Sequence, residues 1–343
     1  MTKKIIALTF LFSINISVLA NEHKKQHLSF IDTFFGTEED YQVCYPKDHR
    51  NFFYSIIGFA LISSVLGIFI VRLKTKTNKI LKEKNAIIEE KNQDMVASIT
   101  YARRIQNSIL PPKNLVDELS KNMFVFYKPK DIVSGDFYWL HKENDVLYMA
   151  VVDCTGHGVP GAFLSLIGKY SLDKSVKEDK RNIPTDIIDK MNTYVKTTLQ
   201  QEKGNDLRDG MEIAFCKLTT TTNELQYAGA NLNLLVIKNN DLIEIKANKC
   251  TVGSVQEHVV EAPKTHSIQL SKGDSFYMFS DGFADQIGGL NNKKYKSVNL
   301  KKFLQANSNQ DSLQQCKLIS SELERWRGKN EQVDDVCVIG FSV

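Results

Sequence analysis

An uncharged apolar run near the N-terminus constrains this chain more than any other feature. Residues 52–71, FFYSIIGFALISSVLGIFIV, contain no charged side chain over twenty positions. About twenty helical residues are needed to cross roughly 30 Å of hydrocarbon, and the core helix of a soluble domain rarely runs that long without a charge. We therefore predict a transmembrane helix over residues 52–72, with a buried core helix as the alternative.

Basic side chains are concentrated directly after this run. They are Arg72, Lys74, Lys76, Lys79, Lys82 and Lys84. An excess of Lys and Arg marks the cytoplasmic side of a membrane segment. The sequence thus predicts a single-pass protein of the cell (inner) membrane, with its C-terminal part in the cytoplasm.

Residues 1–20 have the layout of a secretory signal peptide. Lys3 and Lys4 precede an apolar run, and the segment closes on small or apolar residues up to Ala20, after which we expect cleavage. An uncleaved helix would leave the C-terminal part on the same side. Residues 21–51 are too few to build a core of their own, so they are predicted to be a short extracytoplasmic segment.

Composition excludes several other classes of protein. A chain of 343 residues with 42% hydrophobic and 24% charged residues can bury a core, so disorder is excluded. The net charge is only +4 and no basic stripe is interleaved with aromatic residues, which argues against nucleic-acid binding. The six cysteines are scattered without a CxxC pair, which argues against a zinc site or a disulfide framework.

Residues 73–112 are predicted to form a helical linker. Residues 75–110 contain no Gly or Pro and are mostly good helix formers. Apolar residues recur every seven positions at Leu81, Ile88, Met95, Ala102 and Ile109. The other seam positions are mixed, so the linker is either a weak coiled coil that forms a homodimer or a solvated single helix. Two successive prolines at 111–112 end it.

Residues 113–343 change to short β-rich runs separated by turn residues. We predict strands over residues 123–127, 146–152, 212–218, 225–227, 234–237, 275–279 and 336–341. Predicted helices lie at residues 161–176, 184–200 and 312–326. Strands that pair with sequence neighbours, with helices in separate blocks, indicate a layered α+β sandwich in one domain.

Aspartates at strand ends suggest the chemistry. They occur in DIVSGDFYW (Asp136), VVDCTGHGVPG (Asp153), FSDGFADQ (Asp281) and QVDDVCVIGF (Asp334 and Asp335). A single loop aspartate is usually a turn or cap residue, but several at one sheet edge would repel one another and would favour bound divalent cations. Ligation by oxygen alone favours Mg or Mn over Zn.

These motifs, in this order, resemble the SpoIIE-like branch of the PPM (type 2C-like) metal-dependent serine/threonine protein phosphatases. The resemblance covers roughly residues 102–343 and also includes RRIQNSILPP, DGMEIAFCKL and YAGANLN. It implies a four-layer αββα sandwich, here preceded by a transmembrane helix and a helical stalk, with two Mn²⁺ or Mg²⁺ ions at one end of the strands. The helix end at 106–112 resembles a linker that in relatives switches the catalytic domain, so we expect Ile105 and Ile109 to affect activity.

The resemblance also implies roles for individual residues. Asp153 would bridge both metal ions, and the backbone carbonyl of Cys154 would complete one shell. Asp281 and Asp334 would bind the other ion, and Asp136 would bind a metal directly or through water. Bound ions would make hydroxide available for in-line attack, which makes Asp153 part of the catalytic centre.

His157 has two open interpretations. As in other PPM enzymes, it would protonate the leaving serine or threonine oxygen. However, Cys154 and Thr155 separate the aspartate from the Gly-His pair, whereas eukaryotic relatives have no residues there, so a structural role is equally compatible. Glu212 stands where relatives often carry aspartate, and we assign it no metal.

The predicted activity is hydrolysis of phosphoserine or phosphothreonine on a regulatory protein in a membrane-linked signalling pathway. In relatives, the substrate is often a small regulator of a sigma-factor switch, of the anti-sigma-antagonist type. A catalytically silent PPM-fold scaffold that binds a signalling partner is the alternative, and a purely structural membrane protein is a third interpretation. Aspartate at all four expected positions favours the enzyme.

Overall fold

The computed structural model describes residues 46–200, 209–254 and 262–343, with side chains from residue 51 onward. The predicted signal peptide, Cys44 and nearly all of the predicted extracytoplasmic segment lie outside the described residues. The chain divides into two compact units, Met1–Glu89 and Glu90–Val343.

Helix α1 spans Pro46–Ile109 and contains the apolar run. Its apolar part is long and hydrophobic enough to cross a membrane, and none of that window is buried within the described part of the chain. The helix predicted over residues 75–110 is confirmed. It ends at Ile109, with one residue between it and the two prolines, because proline removes a helical hydrogen bond and clashes with the preceding turn.

The described residues of the second unit form twelve strands. These are β1 Met123–Lys128, β2 Phe137–Glu143, β3 Val146–Cys154, β4 Met211–Thr219, β5 Glu224–Ala230, β6 Leu234–Lys238, β7 Asp241–Ile245, β8 His266–Gln269, β9 Ser275–Phe279, β10 Ile287–Gly288, β11 Lys293–Lys294 and β12 Val336–Ser342. One five-stranded sheet has the order β1-β12-β9-β6-β7, a second has the order β2-β3-β4-β5-β8, and β10 and β11 form a hairpin. Neighbouring strands are antiparallel throughout.

Helices cover the outer faces of both sheets. They are α3 Gly158–Asp173, α4 Pro184–Thr198, α5 Gly282–Asp285, α6 Ser297–Asn307 and α7 Ser312–Arg327, with a π-helical turn at Lys174–Glu178. The short helix α2, Lys113–Leu119, packs instead against the central layer between the sheets. The second sheet packs with Leu164 of α3 and Ile187 of α4. The first sheet packs with Leu300 of α6 and Leu323 of α7.

A third apolar cluster lies between the two sheets. Its buried members include Met149 and Tyr227 of the second sheet and Phe276 and Ile339 of the first. Alternation along each strand sends one set of side chains to this central layer and the other set to the helices. Fully burying a large apolar side chain contributes about 1.5–3 kcal/mol, so the three clusters hold the predicted αββα sandwich together.

All seven predicted strands and all three predicted helices in this domain are confirmed. Strands β2, β7, β8, β10 and β11 and helices α2, α5 and α6 were not expected from the sequence. β7 and β8 are largely exposed edge strands, so they lack a clear apolar signature. The five described cysteines are free thiols.

Glu244 in β7 connects the edge of the first sheet to helix α6. Its carboxylate accepts hydrogen bonds from Lys301 Nζ at 2.5 Å, Lys246 Nζ at 2.6 Å and Asn233 Nδ2 at 2.8 Å. Burial raises the pKa of Glu244, but these hydrogen bonds outweigh it and lower the pKa to about 2. A carboxylate whose pKa is lower in the folded than in the unfolded chain stabilises the fold when the pH is above the unfolded pKa. This stabilisation is lost as the pH falls toward the folded pKa.

We expect Glu244→Gln to lower the free energy of unfolding of the Glu90–Val343 unit by about 1 kcal/mol at neutral pH, because partly exposed ion pairs are screened. The difference from the unchanged chain should persist above pH 4.5 and shrink between 4.5 and about 2. Urea unfolding at pH 3, 5 and 7 measures it. Asp241→Asn, an exposed change on the same strand, is the control, and an undiminished difference at pH 3 would contradict this account.

Candidate functional site

The register of the second sheet places two of the predicted aspartates at the same end. Phe137, the first residue of β2, pairs with Val152 near the end of β3. Asp136 directly precedes β2, and Asp153 is the residue after Val152. Their positions follow from the antiparallel pairing, because the start of one strand faces the end of its neighbour.

The first sheet repeats this arrangement. Phe279, the last residue of β9, pairs with Val338 of β12. Asp281 lies just beyond β9, and Asp334 lies two residues before β12. The acids that the sequence places at strand ends therefore lie in pairs, one pair for each sheet.

The two pairs meet at one cleft of about 300 Å³. Asp153, Glu212, Asp281 and Asp334 line it, together with residues 154–157, Thr251 and Ser254. Asp136 is 3% exposed and lies beneath the lining. Glu212, for which no ligand role was predicted, pairs directly across the strands with Asp153.

The carboxylates in and beneath this cleft destabilise one another's charged forms. Burial raises the pKa of Asp153 to about 8, and the charges of Asp281 and Glu212 add to the rise. Burial and the neighbouring Asp153 hold the pKa of Asp136 well above its usual range. The pKa of Asp281 is raised by burial and by Asp334. A bound cation would remove this repulsion.

The chemistry of the residues in the acidic cleft suits a divalent cation, although their side chains do not form a complete coordination shell. Within residues 46–200, 209–254 and 262–343, no three His, Cys, Asp or Glu side chains are already grouped closely enough to hold a metal ion. However, the Oδ2 atom of Asp136 is buried and lacks a hydrogen-bond partner among the described residues. A buried carboxylate oxygen normally has a partner, and the donor set of oxygens matches Mg²⁺ or Mn²⁺.

Asp335 ties the two halves of the site together. Its Oδ1 accepts a hydrogen bond from the Lys130 backbone N–H at 2.7 Å, and its Oδ2 accepts one from the Gly135 N–H at 2.8 Å. The start of β12 thereby holds the segment that carries Asp136. The sequence marks this residue only as the second member of an acidic pair, and its positioning role could not be predicted from that.

The glycine-rich turn after β3 is packed very closely against this segment. Gly156 has φ +81°, which is a conformation that favours glycine. A Cβ on Gly161 would lie 2.4 Å from the Gly156 carbonyl oxygen, and a Cβ on Gly135 would lie 2.5 Å from the same atom. The carbonyl of residue 156 thus fits between two residues that have no side chain.

His157 lines the cleft and is half exposed. Its Nδ1 lies 2.8 Å from Asp131 Oδ2, and its Nε2 lies 3.1 Å from Lys130 Nζ. The ammonium group can only donate, so Nε2 acts as the acceptor and Nδ1 carries the proton that Asp131 accepts. In this arrangement both ring nitrogens of His157 have a partner, and its role as an acid stays a prediction.

The end of helix α1 contacts the site through Gln106, which is 3% exposed. Its Nε2 donates to the Ser134 carbonyl at 2.6 Å and to Ser165 Oγ at 2.9 Å, and its Oε1 accepts from the Ser134 N–H at 3.1 Å. Ile105, in contrast, is 46% exposed. Ile109 is partly buried, and the expected effect of Ile105 and Ile109 on activity stays a prediction. Gln106 is a polar contact that apolar periodicity could not have identified.

Three comparisons with known proteins agree with this geometry. The family described as Stage II sporulation protein E (SpoIIE) matches residues 143–343, which is more than half of the chain. Phosphoserine phosphatase RsbU of Bacillus subtilis (strain 168) is 24% identical over 196 residues, covering 56% of this chain and 55% of that protein. The chain thus matches about half the length of this curated relative.

Solved structures give the same fold. The SiaA-PP2C domain of Pseudomonas aeruginosa has a TM-score of 0.68 at 26% identity and covers 74% of this chain and 98% of that chain. The PP2C phosphatase domain of SpoIIE from Bacillus subtilis, solved with a fragment of its regulatory domain, has a TM-score of 0.52 at 17% identity, covering 65% and 63%. With its αββα sandwich and its acids at the strand ends, the chain belongs to the SpoIIE-like family of PPM phosphatases.

Proposed function

We propose that this chain is a metal-dependent protein phosphatase that hydrolyses phosphoserine or phosphothreonine on a regulatory protein. The convergence of Asp153, Glu212, Asp281 and Asp334 on one cleft, with Asp136 buried beneath, is the observation that carries the proposal. The similarity to a phosphoserine phosphatase supports the reaction class.

The proposed ligands are those expected from the sequence: Asp136, Asp153, Asp281, Asp334 and the Cys154 carbonyl. Two divalent cations, when bound, supply a water of lowered pKa and neutralise charge on the phosphoryl oxygens. The protein holds the carboxylates at fixed strand ends. Gly135, Gly161 and Asp335 keep the segments that carry them in place.

The proposed location is the cell membrane, with the phosphatase domain in the cytoplasm. The apolar span of α1 and the basic residues that follow it support this topology. Leu81, Ile88 and Met95 are each more than half exposed along one seven-residue repeat. This apolar seam supports a homodimer through the linker, which would cover these side chains.

Removal of the central carboxylate tests the activity. We expect Asp153→Asn to lower phosphate release from a phosphoserine peptide and from p-nitrophenyl phosphate by at least about 100-fold, because this ligand position would bind both ions. Release is measured with Mn²⁺, Mg²⁺ or a chelator. Asp117→Asn, on exposed helix α2, is the matched control and should retain full activity.

A silent scaffold gives a different result. In that case the unchanged chain releases no phosphate with either cation, although calorimetry still detects its partner. Release that persists in the presence of chelator would contradict metal dependence while leaving the hydrolysis itself intact.

Gln106 is proposed to couple the helical linker to the segment of Asp136. We expect Gln106→Ala to lower metal-dependent activity about tenfold or more, because the buried Ser134 backbone groups lose their partners, a cost of about 1–3 kcal/mol. The variant should need more Mn²⁺ for half-maximal activity. Asn107→Ala, an exposed change one residue away, should behave like the unchanged chain, and equal effects of the two would argue against coupling.

A further inference from the structure

A second cleft, of about 580 Å³, lies between the β10–β11 hairpin and the C-terminal end of α7. Residues 288–293 form one wall and residues 325–330 form the other. None of these residues lines the acidic cleft described above. We call this second site the hairpin cleft.

The charged side chains that line the hairpin cleft are all basic. They are Lys293, Arg325, Arg327 and Lys329. Arg325 is paired with Glu322 and Arg327 with Glu324. Lys293 and Lys329 are exposed, and no ion pair is formed by either within the described part of the chain. Two cations are therefore available to an acidic ligand.

Apolar surface lies beside these cations. Leu290, at the tip of the hairpin, is fully exposed. The Trp326 ring lies directly beneath the hairpin, since a Cβ on Gly289 would approach it to 2.8 Å. Tryptophan and arginine are enriched at protein interfaces, and Trp326 lies between Arg325 and Arg327 in this wall.

The hairpin cleft is already shaped without a ligand. The Gly289 N–H donates to the Trp326 carbonyl at 2.8 Å, and Trp326 Nε1 donates to the Gln286 carbonyl at 2.9 Å. Asn330 Nδ2 donates to Asn292 Oδ1 at 2.9 Å. Hydrogen bonds from both walls thus hold the hairpin on the helix, so little ordering entropy opposes binding.

The hairpin cleft is connected to the acidic cleft through a short stretch of chain. Lys294 of β11 forms an ion pair with Asp285 at the end of α5, and α5 begins directly after Asp281. Gln286, which is fully buried, accepts the Val333 N–H and donates to the Glu331 carbonyl just before Asp334. Hydrogen bonds and an ion pair thus link the wall of the hairpin cleft to the segments that carry Asp281 and Asp334.

From this geometry we propose that the hairpin cleft binds an acidic segment of the phosphoprotein substrate, with an apolar side chain against Leu290 and Trp326. The proposal rests on the proposed phosphatase function and deepens it. The carboxylates of the acidic cleft repel an acidic protein before cations are bound, whereas Lys293 and Lys329 attract it. Such charges chiefly raise the association rate and select the partner.

The test measures peptide binding and turnover by the full-length chain in detergent micelles with Mn²⁺. Three fluorescent phosphoserine peptides share one leucine and differ only in flanks rich in Glu, Gln or Lys. The double variant Lys293→Glu with Lys329→Glu reverses the charge of the hairpin cleft. The double variant Lys302→Glu with Lys317→Glu makes the same charge change at exposed positions elsewhere on α6 and α7.

We expect the Glu-rich peptide to bind the unchanged chain most tightly. Reversal of the hairpin cleft should weaken that binding at least about tenfold at low salt and should shift the preference to the Lys-rich peptide. The control variant should keep the original preference. Leu290→Ser should weaken binding of all three peptides, while turnover of p-nitrophenyl phosphate, which has no flanks, should not change in any variant.

Equal affinity for the three peptides, or equal effects of the two double variants, would overturn the proposal. Loss of p-nitrophenyl phosphate turnover in the reversed variant would also overturn it, because the lysines would then act on the catalytic centre itself. If the unchanged chain binds the Glu-rich peptide through this cleft but hydrolyses nothing, the docking site stands and the phosphatase function fails.

Discussion

The burial of several carboxylates at one cleft is the constraint on which the rest of this structure depends. Asp136, Asp153, Glu212 and Asp281 all have raised pKa values, and burial is the largest cause for each. A chain free to relax would move these groups into water. They stay together because each belongs to the end of a strand or to a turn whose position is fixed by the sheets, so the free energy of the sandwich holds the acids in place. Their lost solvation, together with their proximity, makes the cleft suited to cations.

The sheets alone would leave the connecting segments free to move, and a small number of polar contacts prevent this. Asp335 bonds to the segment that carries Asp136, and the carbonyl of Gly156 fits against Gly135 and Gly161. Side chains at either glycine would push these segments apart. The site is therefore formed by the close approach of three backbone segments, and its geometry depends on residues that would bind no metal.

The sequence was informative where burial imposes a pattern. Strands such as β3 and β9 carry continuous apolar runs, so their ends and the adjoining Asp153 and Asp281 could be predicted. Exposed strands such as β7 have no such pattern and were missed. Gln106 could not be predicted either, because a buried polar residue is recognised only from its partners, and Ser134 and Ser165 are distant in sequence. The continuity of the predicted helix pointed instead to the apolar residues Ile105 and Ile109.

The two sheets contribute separate halves of the acid set, and each half has its own outside contact. Asp136 follows Ser134, which Gln106 holds from the end of α1. Gln286 follows Asp281 by five residues and is hydrogen-bonded to Glu331 and Val333, just before Asp334. The same residue supports the hairpin cleft. A change in either contact would act first on one pair of acids, whereas the proposed two-metal chemistry would need both pairs correctly placed. With the acids divided between two sheets in this way, we expect activity only when both pairs of acids are in position. The linker contact and a protein docked in the hairpin cleft, as proposed, are therefore expected to influence activity jointly and not additively.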